Sequence, residues 1–223
     1  MRRFLLSLFA ASSMLSPLIS SAAFAQDGPP HLLAAPIEDD GFSLTEAPND
    51  HIIGVDDAPN TLIIYASVTC SHCSKWFTEE WDLLKSELID TGELRVVFRE
   101  FITAPAQIAA SGFTIANCTK ADNYIDVIQH QMINQAVIFD DLKASKGLKA
   151  YASTLEVAGL TEEDVTACFE DKAHNERLQT SMKRAQNSGL KGVPAFILNG
   201  ALYKGSVTAK ELTETFAGGV SKP

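Results

Sequence analysis

The sequence predicts an α/β fold in which a helical domain is inserted between two halves of a mixed strand-and-helix frame. Three observations carry the prediction. Two runs rich in β-branched and aromatic residues, at 61–66 and 94–101, flank a helical stretch, which makes a parallel strand–helix–strand unit with a right-handed crossover. From residue 104 to about 170 the apolar spacing is helical, with few strand signals. Strand character then returns on both sides of Asn199-Gly200, a two-residue hairpin signal, before a short amphipathic helix.

In chain order, Met1-Arg2-Arg3 and the apolar run that follows read as the charged and apolar regions of a secretory signal at residues 1–25. Ala23-Phe24-Ala25 is a small-x-small cleavage site, so the mature chain is expected to begin at Gln26. The rival reading, a membrane anchor, is opposed by Pro17 and by the serines that interrupt the run. The net charge of −10 becomes −12 on cleavage, because the segment removes two arginines and no acid. An acidic chain without a basic patch has nothing to neutralise phosphates, which excludes nucleic acid as a partner class. No later stretch is apolar enough to span a bilayer, and four cysteines suit an oxidising compartment.

Residues 26–50 are rich in Pro, Ala and Asp without clear periodicity, and are expected to form a flexible or loosely docked leader. His51-Ile52-Ile53 reads as a short edge strand feeding a central strand at 61–67. A helix is predicted from Cys73 to Asp90 on the spacing of Phe77, Trp81, Leu84 and Leu88, with Gly92 as its C-terminal cap. The apolar stripe of the helical block reads as core rather than as a ligand groove. Within it, Thr161 and Asp164 form a capping box, and another helix is expected over 171–187. After the hairpin, a last helix runs over about 208–216.

The chemistry concentrates at Cys70-Ser71-His72-Cys73, where the central strand turns into a helix. Two thiols two residues apart can close a small disulfide ring, and free N–H groups in the first helical turn stabilise a thiolate on the first sulfur. Cys70 is therefore the expected nucleophile and Cys73, one turn inside, the resolving thiol. His72 can donate a hydrogen bond to the Cys70 thiolate or add charge beside it, and each effect favours the reduced form. A disulfide whose reduced form is stabilised is a stronger oxidant. The rival reading, half of a structural zinc site, needs two more ligands at compact spacing. Cys118, Cys168 and the remaining histidines are scattered, so no metal and no other cofactor is expected.

The order of strand, Cys70-Ser71-His72-Cys73, helix, helical insertion, Gly192-Val193-Pro194, hairpin and helix resembles the DsbA-like thiol:disulfide oxidoreductases, a thioredoxin fold with an inserted helical domain. The resemblance implies a thioredoxin-like domain built from 51–103 and 190–223, with 104–189 inserted. It implies that Pro194 follows a cis bond facing the motif, and that Val193 and Pro194, with Ser71, contact an extended substrate peptide by strand addition. Two departures stand out. Ser71 occupies a position where oxidases of the family commonly carry proline, and Ile64 stands where many members place a buried glutamate. Glu100 on the neighbouring strand is the candidate substitute, and it reads otherwise as a solvated strand-end charge. Four cysteines allow three connectivities, and the sequence does not choose among them. The resemblance implies a redox pair Cys70–Cys73 and a second, non-catalytic disulfide Cys118–Cys168, similar to alphaproteobacterial-type members. Such a clip would contribute about 4 kcal/mol. Its rival is a pair of redox-sensing thiols.

The expected function is an exported, periplasmic, monomeric oxidoreductase that introduces disulfides. Its expected substrates are unfolded or partly folded exported proteins with free thiols, and a quinone-linked membrane oxidase of the DsbB type is the expected reoxidant. The alternative is a disulfide isomerase or reductase, and a third reading is a binding or chaperone module without redox turnover.

Overall fold

The structure, a computed structural model, describes residues 40–218. The signal segment 1–25 and the leader as far as residue 39 lie outside the described residues.

The apolar runs form β2 (Asn60–Ala66) and β3 (Leu94–Glu100), which pair in parallel with Ile64 opposite Phe98 and Ala66 opposite Glu100. A short β1 (His51–Ile53) lies antiparallel to β3 at one edge. At the other side β4 (Ala195–Leu198) pairs antiparallel with β2, and the Asn199-Gly200 hairpin leads to β5 (Ala201–Leu202). The sheet order is β1-β3-β2-β4-β5. Alternation along the pleat sends Leu62, Ile64, Ala66, Val96 and Phe98 into one core, and Ile63, Tyr65, Val97 and Ile197 into a second, smaller one. The first core meets the motif helix and the helical insertion, and the second meets Ala185 of α8 (Lys172–Asn187).

The helix predicted as one piece from Cys73 to Asp90 is broken. α1 (Ser71–Glu79) stops at Glu80, which has φ −118°, and α2 (Trp81–Leu84) restarts and widens into a π turn over Lys85–Ile89. At the break Glu80 Oε2 accepts the N–H of Ala209 at 3.0 Å, in the first turn of α9 (Ala209–Ala217). The stretch still buries Trp76, Phe77, Trp81, Leu84 and Leu88, the face the apolar spacing marks out.

Between β3 and β4 the described chain is helical. α3 (Ala106–Cys118), α4 (Tyr124–Ile133), α5 (Gln135–Lys143), α6 (Ala152–Ala158) and α7 (Glu162–Cys168) precede α8. Both arms of the Thr161/Asp164 capping box are formed. None of the described helices is long and apolar enough to cross a membrane.

The leader is described from residue 40 onward. Residues 40–50 are docked, because the buried Arg99 guanidinium donates to the carbonyls of Phe42 and Thr45 and to the carboxylate of Asp50 at 2.8 Å. Asp40 adds an ion pair to Arg184 at 2.7 Å. The docking runs through main-chain carbonyls and three acids, Asp40, Glu46 and Asp50, so it leaves no apolar periodicity in the sequence.

Candidate active site

The strand-to-helix turn places the motif at the head of α1. Cys70 is the N-cap residue, with φ −92° and ψ 117°, and its Sγ accepts the N–H of Cys73 at 3.3 Å. The sulfur occupies the place a Ser or Asp side chain takes at other helix starts, where unpaired N–H groups favour negative charge. Cys70 is half-buried and Cys73 fully buried. Opposite them, the Val193–Pro194 peptide is cis, and Cys70 Sγ lies 3.3 Å from the carbonyl oxygen of Val193.

The insertion holds this turn from behind. Ser74 Oγ donates to the carbonyl of Met132 at 2.6 Å, and Gln135 Nε2 donates to the carbonyl of Val68 at 2.8 Å. At Gly112 a Cβ would meet Val68 Cγ2 at 2.7 Å and the Gln131 amide oxygen closer still, so only glycine lets α3 approach the turn this tightly. Trp76 Nε1 donates to Val207 O at 2.6 Å, which ties α1 to the chain ahead of α9.

The two thiols are driven in opposite directions. The hydrogen bond shared with Cys73 holds the Cys70 thiol down at about 6, helped by the N–H groups of Cys73 and His72 and the charge of His72, against partial burial. Burial pushes the Cys73 thiol far up, and the bond to Cys70 and its charge add to the effect. The reduced site at neutral pH is thus a Cys70 thiolate beside a Cys73 thiol. Because the folded value for Cys70 lies below the ordinary one of 9.0, the stabilisation it gives the reduced protein is complete above pH 9 and lost as the pH falls through about 6.

His72 is exposed, and among the described contacts its imidazole makes no hydrogen bond to Cys70; it acts through its main-chain N–H and its charge. Ser71 is likewise exposed at the start of α1. Ile64 is fully buried between Phe98 and Phe196, its partners in register.

Glu100 is no solvated strand-end charge. It is 1% exposed, faces the same core as Ile64 but one pleat further along, and accepts from Asn117 Nδ2 and from the Tyr124 hydroxyl at 3.1 Å. Burial raises its carboxyl to about 7, and its Oε2 has no partner among the described residues. Its side-chain hydrogen bonds go to the insertion, and among the described residues none reaches Cys73. These partners come from α3 and the start of α4, 17 and 24 residues away in sequence, and no local pattern announces them.

Cys118 and Cys168 are bonded to each other, with Cα atoms 6.1 Å apart, and join the ends of α3 and α7. His174 Nδ1 lies 3.4 Å from Cys168 Sγ.

A family sequence model described as thioredoxin matches residues 46–216. A Rickettsia bellii protein named as a protein-disulfide oxidoreductase is 27% identical over 154 residues, which cover 68% of this chain and 58% of that protein. The chain therefore spans less than two thirds of the length of that relative. Among solved structures, Wolbachia pipientis alpha-DsbA1 superposes with a TM-score of 0.67 at 22% identity, over 78% of this chain and 92% of its own. The protein-disulfide isomerase of Novosphingobium aromaticivorans does so with a TM-score of 0.64 at 22% identity, over 77% and 97%. At these identities the structural likeness establishes the fold.

Proposed function

We propose that this chain, which belongs to the thioredoxin family, is a protein thiol:disulfide oxidoreductase that donates the Cys70–Cys73 disulfide to exported proteins with free thiols. One observation carries the reading: the half-buried first thiol of the pair is held down at about 6 while the buried second is pushed far up.

That split suits disulfide donation at each step. A substrate thiolate attacks Cys70 Sγ, the Cys70–Cys73 bond breaks, and its electron pair goes to Cys73, which takes up a proton and remains a thiol. A second substrate thiolate then attacks the substrate sulfur of the mixed disulfide and expels Cys70. A low-pKa thiolate is the better leaving group, so Cys70 departs readily. The substrate has lost two electrons and two protons, and the protein holds the two electrons as one thiolate and one thiol. No cofactor takes part. The Val193 carbonyl, 3.3 Å from Cys70 Sγ, lies where an extended peptide alongside Pro194 would bring its thiol to the site. Cys118–Cys168 serves as a non-catalytic clip. The protein works in the periplasm as a monomer after removal of residues 1–25, and a quinone-linked membrane oxidase of the DsbB type restores the disulfide.

Ser71, in place of proline, is the observation that favours the second reading, a disulfide isomerase or reductase. Mixing oxidised protein with an equimolar peptide bearing two thiols separates the two. The proposal expects the peptide oxidised and the protein reduced, one for one. A protein that leaves the peptide reduced but, in its own reduced form, reshuffles a scrambled disulfide substrate is an isomerase.

A further inference from the structure

Away from Cys70, the fold gathers three more groups able to bind a metal, although they are scattered in the sequence. α7 ends at Cys168, and the chain turns at once into α8. The N–H of Asp171 donates to the carbonyl of Cys168 at 3.0 Å, and the Asp171 side chain caps α8 by accepting the N–H of Ala173 at 2.8 Å. This turn carries His174 back to Cys168, with Nδ1 3.4 Å from Sγ. Cys118 arrives at the C-terminal end of α3, which a further tie holds in place, since Thr119 Oγ1 donates to the carbonyl of Ala158 at 2.8 Å. The two sulfurs and a ring nitrogen of His174 all lie within 4.8 Å of one another, and the three residues are half-buried. At the other nitrogen of the ring, Asp171 Oδ2 lies 3.9 Å from His174 Nε2.

Two thiolates and an imidazole are ligands that suit zinc. Zinc bonds to sulfur at about 2.3 Å and to nitrogen at about 2.0 Å, so a thiolate and an imidazole on one tetrahedral ion stand about 3.5 Å apart. Cys168 and His174 already hold that spacing. A metal-bound imidazole usually turns its other nitrogen to a carboxylate or carbonyl, the place Asp171 occupies. We propose that Cys118, Cys168 and His174 form a redox-gated site for a divalent cation of the zinc class, with its fourth position open to water. Oxidised, the two sulfurs are the Cys118–Cys168 clip and have no thiolate to offer a cation. A dithiol reductant opens the clip: it is oxidised to its own disulfide, and two electrons and two protons pass to Cys118 and Cys168. The cation then displaces both protons to solvent and joins the ends of α3 and α7 in place of the covalent bond. The Thr119 tie and the Asp171 turn do not depend on the disulfide, so the three groups stay within reach when it opens. The site uses neither Cys70 nor Cys73 and is independent of the exchange chemistry proposed above.

The test takes the full chain carrying Cys70→Ser, reduces it with a phosphine, removes the phosphine without admitting air, and titrates with cobalt(II). Tetrahedral cobalt held by thiolates shows strong visible bands and a charge-transfer band in the near ultraviolet. The expected result is one cobalt per reduced chain, displaced by zinc, and no binding before reduction. Losing the outer partner of a metal-bound histidine costs about tenfold to a hundredfold in affinity, so Asp171→Asn, which keeps the helix cap, should weaken binding about tenfold. His174→Gln removes a ligand and should weaken it by more than about a hundredfold. The same titration of the wild-type chain, with His174→Gln as its control, decides the matter if Cys70→Ser does not fold. Reduced protein without cobalt bands, binding that His174→Gln leaves unchanged, equal binding before reduction, or a reduced chain that stays unfolded with cobalt present overturns the site.

Discussion

Cys70→Ser abolishes disulfide exchange, by at least about a thousandfold, and leaves the protein folded. The loss is complete because the same sulfur is electrophile when the site is oxidised, half of the mixed disulfide, and leaving group at release. A serine hydroxyl can form no disulfide and is not ionised at neutral pH. The fold survives because the structural demand on residue 70 is that of a helix N-cap. Cys70 is half-buried, its side chain accepts the N–H of Cys73, and serine is among the best residues at that position. Turnover of a dithiol peptide measured beside thermal unfolding checks both halves. Retained exchange would place the nucleophile elsewhere, and loss of the folded state would show that the thiol packs the turn as well as reacting.

The largest effect on stability is expected at Arg99, far from the chemistry. Its side chain and that of Asp50 are 1% and 4% exposed, and the guanidinium donates to both Asp50 oxygens, to the Phe42 and Thr45 carbonyls and to the Tyr65 hydroxyl at 2.9 Å. Removing one partner of a buried pair leaves the other charge uncompensated, which typically costs about 3–5 kcal/mol. Arg184, 3.0 Å from Asp50, still faces the abandoned carboxylate and keeps the cost towards the lower end. Arg99→Leu should therefore destabilise the protein by about 3 kcal/mol, a fall in Tm of about 6–12 °C for a chain of this size. Adding Asp50→Asn to that variant removes the orphaned charge and should recover part of the loss. An Arg99→Leu protein that unfolds with the wild type would mean that the docked segment 40–50 contributes nothing to stability.

The two cases also mark what was legible in the sequence. The strands, the Asn199-Gly200 hairpin and the Thr161/Asp164 cap follow from patterns a few residues long, so the frame of the fold is readable. So is the placement of Cys70 at a helix start, which needs only an apolar strand run followed by helical spacing. The docking of residues 40–50 is not readable, because Arg99 grips carbonyl oxygens that every sequence possesses. The break of the first helix at Glu80 has no local signal either, and the partner its carboxylate finds there, Ala209, is 129 residues away. The sequence left Glu100 open between a buried acid and a solvated strand-end charge, because the Asn117 and Tyr124 side chains that satisfy one of its oxygens lie on helices whose packing no local pattern reveals.

The central claim is that this site stabilises its reduced form and so gives disulfides away. The equilibrium of Cys70 and Cys73 with glutathione buffers tests it most directly, followed by the fluorescence of Trp76 and Trp81, both buried in the helical stretch that begins at the motif. The account predicts a reduction potential towards the roughly −120 mV of the oxidant DsbA. A value near the roughly −270 mV of thioredoxin would contradict it, and would make the protein a reductant that takes disulfides from its substrates.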